Sequence, residues 1–158
     1  MKIYIESFLK YKLLFCYGGM LYMTIEMLFR NRTSYYMGLC GGLAFLFIGC
    51  LNNFISWDMP FVLQCLIGGF FIITPLEYIF GILFNQTYNI WDYRDIPINI
   101  NGQICMPFSL IWCMISAVAI VTDDYLRYYI FEEDKPAYKL FWLAVNDWWD
   151  NRLTFPVQ

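Results

Sequence analysis

The sequence predicts an all-α bundle of about four transmembrane helices, followed by an amphipathic C-terminal segment. Three observations predict it. Hydrophobic residues make up 60% of the 158-residue chain and charged residues only 15%, against about 45–50% and 25% in a soluble domain. Apolar runs recur at close to the roughly 20 residues a helix needs to cross the hydrocarbon core. Five of the six Trp (Trp57, Trp91, Trp142, Trp148, Trp149) fall at the borders of those runs, as an interfacial aromatic belt requires.

The first span is predicted over 13–29. The preceding stretch, Met1 to Lys12, is basic, and no small-residue cleavage site follows it, so the segment reads as a retained helix. The second span covers 36–55 and the third 61–84, with Pro75 expected to break it. The fourth covers 104–121, with Pro107 in its first turn, where a missing N–H costs no intrahelical bond. These spans form one membrane domain, 1–134. Residues 135–158 form an amphipathic segment, and Ala137 to Trp149 reads as an interfacial helix. Trp112 alone lies deep in a span, facing protein or lipid.

Asn85 to Gln103 is the long connection, rich in Asn, Asp, Pro and Trp, and is expected to pack at the membrane surface, partly re-entrant. Orientation follows the basic residues. Seven Lys and Arg lie on the side of the termini, against Arg30, Arg32 and Arg94 on the other, which places both termini in the cytoplasm.

Two carboxylates interrupt the apolar helices. Gly18-Gly19, Thr24 and Glu26 recur 50 residues later as Gly68-Gly69 and Thr74, followed by Glu77 after one extra residue. Two helical hairpins of like design would place both acids on matching helices at similar depth. A charge at the bilayer centre costs about 2.5–3.5 kcal/mol, so such residues face the bundle interior and find partners. Glu26 has Arg30 one turn on, at a pairing distance. Glu77 has no basic residue within a turn, so Arg32, Arg94 or loop N–H groups are its expected partners.

Other chemistry is sparse. His is absent, which removes imidazole catalysis and His metal sites. The six Cys lie mostly in apolar runs without C-x-x-C spacing and read as small buried hydrophobes. No metal site, catalytic set or cofactor is expected, and no basic tract suggests nucleic acid. Asn31-Arg32-Thr33 and Asn85-Gln86-Thr87 fit the glycosylation triplet, but each lies tight against the membrane and reads as chance. No G-x-x-x-x-G-K-[ST] loop is present, so energised transport would need a separate ATPase subunit. Four spans are few for a transport path, which points to a homo-oligomer in lipid. Glu77, Glu26, Arg30, Arg32, Trp91, Asp92, Tyr93, Asn99 and Gly102 are the expected polar cluster near the outer face, for a ligand or for structure.

The ordered set Leu76-Glu77-Tyr78-x-x-Gly81, Trp91-Asp92-Tyr93, Asn99-x-x-Gly102-Gln103-Ile104-Cys105 and Ser109-Leu110-x-Trp112 resembles the putative ABC-transporter type IV (CmpB-like) membrane-protein family. The resemblance extends over roughly Tyr17 to Phe131. It implies a multi-span bacterial inner-membrane protein and a permease-like subunit. Arg94 stands where the family commonly has Ser, and Gly38, Gly41 and Gly42 replace its Gly-Pro pattern. The alternatives are a non-transporting scaffold that assembles through Gly38-x-x-Gly41-Gly42, or an intramembrane enzyme acting on lipid with Glu77 and Asp92 as acid and base.

Overall fold

The computed structural model describes residues 2–51 and 59–139, with side chains from Ser7 onward. Among the described residues four helices make the bundle: α1 (Lys2–Arg30), α2 (Tyr35–Gly49), α3 (Phe61–Phe84) and α4 (Met106–Phe131). Ser7–Arg30, Phe61–Phe84 and Met106–Phe131 are long and apolar enough to cross a membrane, and α2 is a shorter apolar helix. Residues 52–55 of the expected second span lie outside the described residues. Leu28, Phe29, Phe71 and Met114 are all exposed, as side chains facing acyl chains would be.

The helices pair as two hairpins, α1 on α2 and α3 on α4, and α2 also meets both α3 and α4. Glycine sets the first contact. A Cβ at Gly19 would lie 2.7 Å from the Gly38 carbonyl oxygen, and one at Gly42 would lie 2.8 Å from that of Phe15. Backbones this close need small residues. The second hairpin uses the matching pair: a Cβ at Gly69 would lie 2.5 Å from the Cys113 backbone nitrogen. Ser116, fully buried, sits 2.7 Å from the Cys65 carbonyl and ties α4 to α3. Two apolar clusters fill the centre, one around Leu14, Phe45, Ile48 and Ile120, the other around Met37, Phe80, Trp91 and Tyr93. Tyr22, Leu76 and Phe108 pack against both.

Three elements differ from the sequence reading. Pro75 does not break α3, because the helix widens into a π turn over Gly68–Ile73. There the Thr74 N–H donates to the Gly69 carbonyl, five residues back. Proline clashes with the carbonyl four residues before it in a regular helix, and the wider turn relieves that clash. The fourth helix does not stop at Val121 but runs to Phe131. Asp123, Asp124 and Arg127 are buried on its inner side, so these charges continue the helix where a lipid-facing charge would end it. Residues 132–138 form a strap without regular secondary structure, and residues 140–149 of the expected interfacial helix lie outside the described residues.

The long loop folds on itself. Strands β1 (Asn99–Ile100) and β2 (Ile104–Cys105) pair antiparallel, with Asn99 opposite Cys105. Asn101 and Gly102 turn between them at φ 52° and 63°. Two successive positive φ values are the type I′ geometry that Asn-Gly favours.

Candidate functional site

Glu77 is 2% exposed on α3. Its partners are neither arginines nor backbone N–H groups. The Tyr93 hydroxyl donates to Oε1 at 2.9 Å, and the Trp112 indole N–H donates to Oε2 at 2.6 Å. Trp112 comes from α4 and Tyr93 from the loop, so one carboxylate fastens three elements. An indole N–H can only donate. Oε2 therefore presents a lone pair to Trp112. Burial, then the adjacent Glu77, holds the Tyr93 hydroxyl well above the usual tyrosine range. Tyr93 therefore remains a neutral donor.

Rings carry the site inward. Tyr93 stacks on Phe108 at 4.6 Å between centroids, Phe108 meets Trp112 at 6.2 Å, and Trp112 meets Tyr22 of α1 at 5.9 Å. Beside this ladder, between all four helices, lies a cavity of about 50 Å³. Glu77 and Trp112 form part of its wall, with Tyr22, Phe45 and Ile73.

Glu26, 6% exposed, stands at the same end of the bundle. Arg30 donates to its Oε1 at 2.6 Å, as the spacing predicts, and the Thr33 hydroxyl donates to Oε2 at 2.7 Å. Glu26 is thus a paired charge at a helix end. The two Gly-Gly…Glu segments correspond in detail. The Thr24 hydroxyl donates to the carbonyl four residues back, Met20, at 2.8 Å. The Thr74 hydroxyl donates to the carbonyl five back, Gly69, also at 2.8 Å. The second segment carries one more residue between its Gly pair and its Glu, and a π turn takes up one extra residue per turn. Glu77 therefore returns to the face that Glu26 occupies on α1.

The other expected site residues belong to the loop. Asp92 and Arg94 are exposed and pair with each other at 2.7 Å. Arg94 holds the Asp92 carboxyl below its usual range, and the Arg94 guanidinium lies 4.2 Å over the Tyr88 ring. Trp91 is not at an interfacial border but 2% exposed, because its indole N–H donates to the Gln103 carbonyl at 2.8 Å. Asn99 accepts from the Gly102 N–H at 3.0 Å and donates to the Ile96 carbonyl at 2.8 Å. Gly102 is the left-handed turn residue itself. Arg32 is exposed.

Sequence reasoning missed Asn85 and Gln103. Asn85 is fully buried. Its side chain donates to the Trp91 carbonyl at 2.7 Å and accepts from the Ile90 N–H at 2.9 Å. Gln103 returns a bond to the Asn85 carbonyl at 3.1 Å. This network staples the loop to the end of α3, and it leaves Asn85 inaccessible to glycosylation. The signal in the sequence was Asn101-Gly102, a hairpin dipeptide that places Gln103 beside the start of the loop.

The opposite end holds a second charged group, also unforeseen. Arg127 pairs with Asp123, and Lys10 of α1 pairs with Glu133 of the strap. The Tyr138 hydroxyl donates to Asp124 at 2.7 Å. Burial, then that bond, raises the Tyr138 hydroxyl above its usual range. The six Cys are free thiols; Cys40, Cys65, Cys105 and Cys113 are buried, while Cys16 is exposed on α1. Among the described residues no group of three or more Cys, Asp or Glu is arranged to hold a metal ion.

A family model described as putative ABC-transporter type IV matches residues 3–146. No curated protein and no solved structure matches.

Proposed function

From its membership of the putative ABC-transporter type IV family, we propose that this membrane protein is a permease-like subunit whose central binding group is Glu77. One observation carries the reading. A buried carboxylate with only neutral donors faces a cavity lined by four helices. A buried charge kept purely for stability is normally cancelled by an opposite charge. Here Arg30 is committed to Glu26 at 2.6 Å, and both direct partners of Glu77 are uncharged. Glu26, Arg30 and the folded loop carrying Trp91, Asp92, Asn99 and Gly102 make the polar rim. In this reading the rim faces outward, the termini face the cytoplasm of a bacterial inner membrane, and the subunit works as a homo-oligomer with a separate ATPase.

The test is capture of the tagged full-length chain in mild detergent. The expected result is a copurifying ATP-hydrolysing protein whose activity rises in lipid with the chain present. Its absence from several detergents and from nanodiscs would overturn the permease reading. The scaffold alternative draws less support, because Gly38, Gly41 and Gly42 pack against Met23, Tyr22 and Phe15 of the same chain. The enzyme alternative lacks a partner for Glu77, since Asp92 is exposed and paired with Arg94.

A further inference from the structure

We infer that the cavity beside Glu77 takes a small organic ammonium ion, about the size of tetramethylammonium. The inference rests on the reading of Glu77 as a binding group and adds the chemical class of its ligand.

Size comes first. The cavity measures about 50 Å³, and one water takes roughly 10–15 Å³ on this scale. It therefore holds about four waters or a ligand of similar bulk. Charge comes next. Among the described residues lining the cavity, Glu77 is the one carboxylate and none is basic. A carboxylate has about four acceptor positions, and Tyr93 and Trp112 use two of them. The remainder are open to a cation, whose charge would favour the ionised carboxylate.

The wall then selects among cations. Hard metal ions such as calcium need about 6–8 oxygen ligands. Here one carboxylate stands among Ile, Ala, Gly and aromatic side chains. An alkylammonium differs: its charge is spread over apolar groups, and aromatic faces bind it well when water is excluded. Tyr22, Phe45 and Trp112 supply those rings. An anion would meet only repulsion, and an uncharged ligand would leave the carboxylate unused.

The experiment uses the full-length protein in nanodiscs of phosphatidylglycerol, which carries no ammonium headgroup. Calorimetric titration with tetramethylammonium chloride is expected to show saturable binding. Sodium chloride and tert-butanol, the cation and size controls, are expected to show none. Glu77→Gln should weaken binding at least tenfold. Ala44→Leu, which fills the cavity without touching the Glu77 bonds, should abolish it, and this second variant serves if Glu77→Gln fails to fold. No saturable binding to the wild type, equal binding of tert-butanol or sodium, or full affinity in a folded Ala44→Leu would each overturn the inference. Adding phosphatidylethanolamine identifies the source. Competition would point to a lipid headgroup, and unchanged affinity to a free amine; both support the ammonium site. A captured ATPase with no ammonium binding would sink this inference alone. Ammonium binding with no ATPase would keep the site and sink the permease reading.

Discussion

At the loop end of the bundle, Glu77 lies between the Tyr93 hydroxyl and the Trp112 indole, two donors without charge. At the strap end, Asp123 is met by the Arg127 guanidinium, and Glu133 by Lys10 and Arg127. Both ends bury carboxylates, and both hold a cancelled pair, Asp123–Arg127 at the strap end and Glu26–Arg30 at the loop end, whereas Glu77 is met by two neutral donors. The cancelled group at the strap end acts as a clasp: it joins α1, α4 and the strap and has little charge left for a ligand. An uncancelled one beside a cavity keeps its field. The difference separates a clasp that holds this protein together from the group we propose as a binding site.

The sharpest way to break that comparison is to remove a charge from the clasp. Arg127→Met leaves Asp123 fully buried and uncompensated. Breaking one side of a buried pair costs about 3–5 kcal/mol, so the thermal midpoint in detergent should fall steeply. The double variant Asp123→Asn/Arg127→Met should regain most of the loss, since no lone charge remains. Equal midpoints for the single and double variants would show that charge cancellation is not what holds this end.

A smaller effect is expected at the loop end. Trp112→Phe keeps a ring in the aromatic ladder and deletes the indole donor to Glu77. Leaving a buried acceptor short of one bond costs about 1–3 kcal/mol. Because Tyr93 still donates, stability should fall less than in Arg127→Met. If ammonium binding is then measured, Trp112→Phe should alter affinity while Arg127→Met, at the far end, should not. A reversal of that pattern would undo the division of labour between the two ends.

The sequence made parts of both ends legible, and for identifiable reasons. Apolar run length found α1 and α3, and the i, i+4 spacing found the Glu26–Arg30 pair, because both are local properties of a helix. The Gly-Gly…Glu repeat gave matching contacts, since close backbone approach demands small residues wherever it occurs. The partners of Glu77 were not legible. Trp112 lies 35 positions away in sequence, and no local rule links the two. Asp123, Asp124 and Arg127 follow the predicted span 104–121, and in sequence a run of charges usually marks water. Only the neighbouring helices show that they face inward. The π turn was hidden for a similar reason: its trace in sequence was the single extra residue between Gly68-Gly69 and Glu77, which reads equally as a chance mismatch.

Asp92 provides the lower limit of the comparison, a carboxylate that is paired but not buried. Arg94 bonds to it at 2.7–3.1 Å, through its side chain and its backbone N–H, and holds its carboxyl below the ordinary range. A carboxyl depressed in the folded state adds stability above its unfolded pKa of about 3.9. That contribution disappears as pH falls through the lower folded value. Asn at this position cannot ionise, so Asp92→Asn should lose the contribution at neutral pH and match the wild type at strongly acidic pH. The pair is exposed and screened, so the difference should be the smallest of the three and shrink further in high salt. Thermal midpoints of both proteins, followed from pH 7 downward at low and high salt, would show it. A large, salt-insensitive loss at neutral pH would mean that Asp92 is gripped by more than Arg94, and would return it to the site around Glu77.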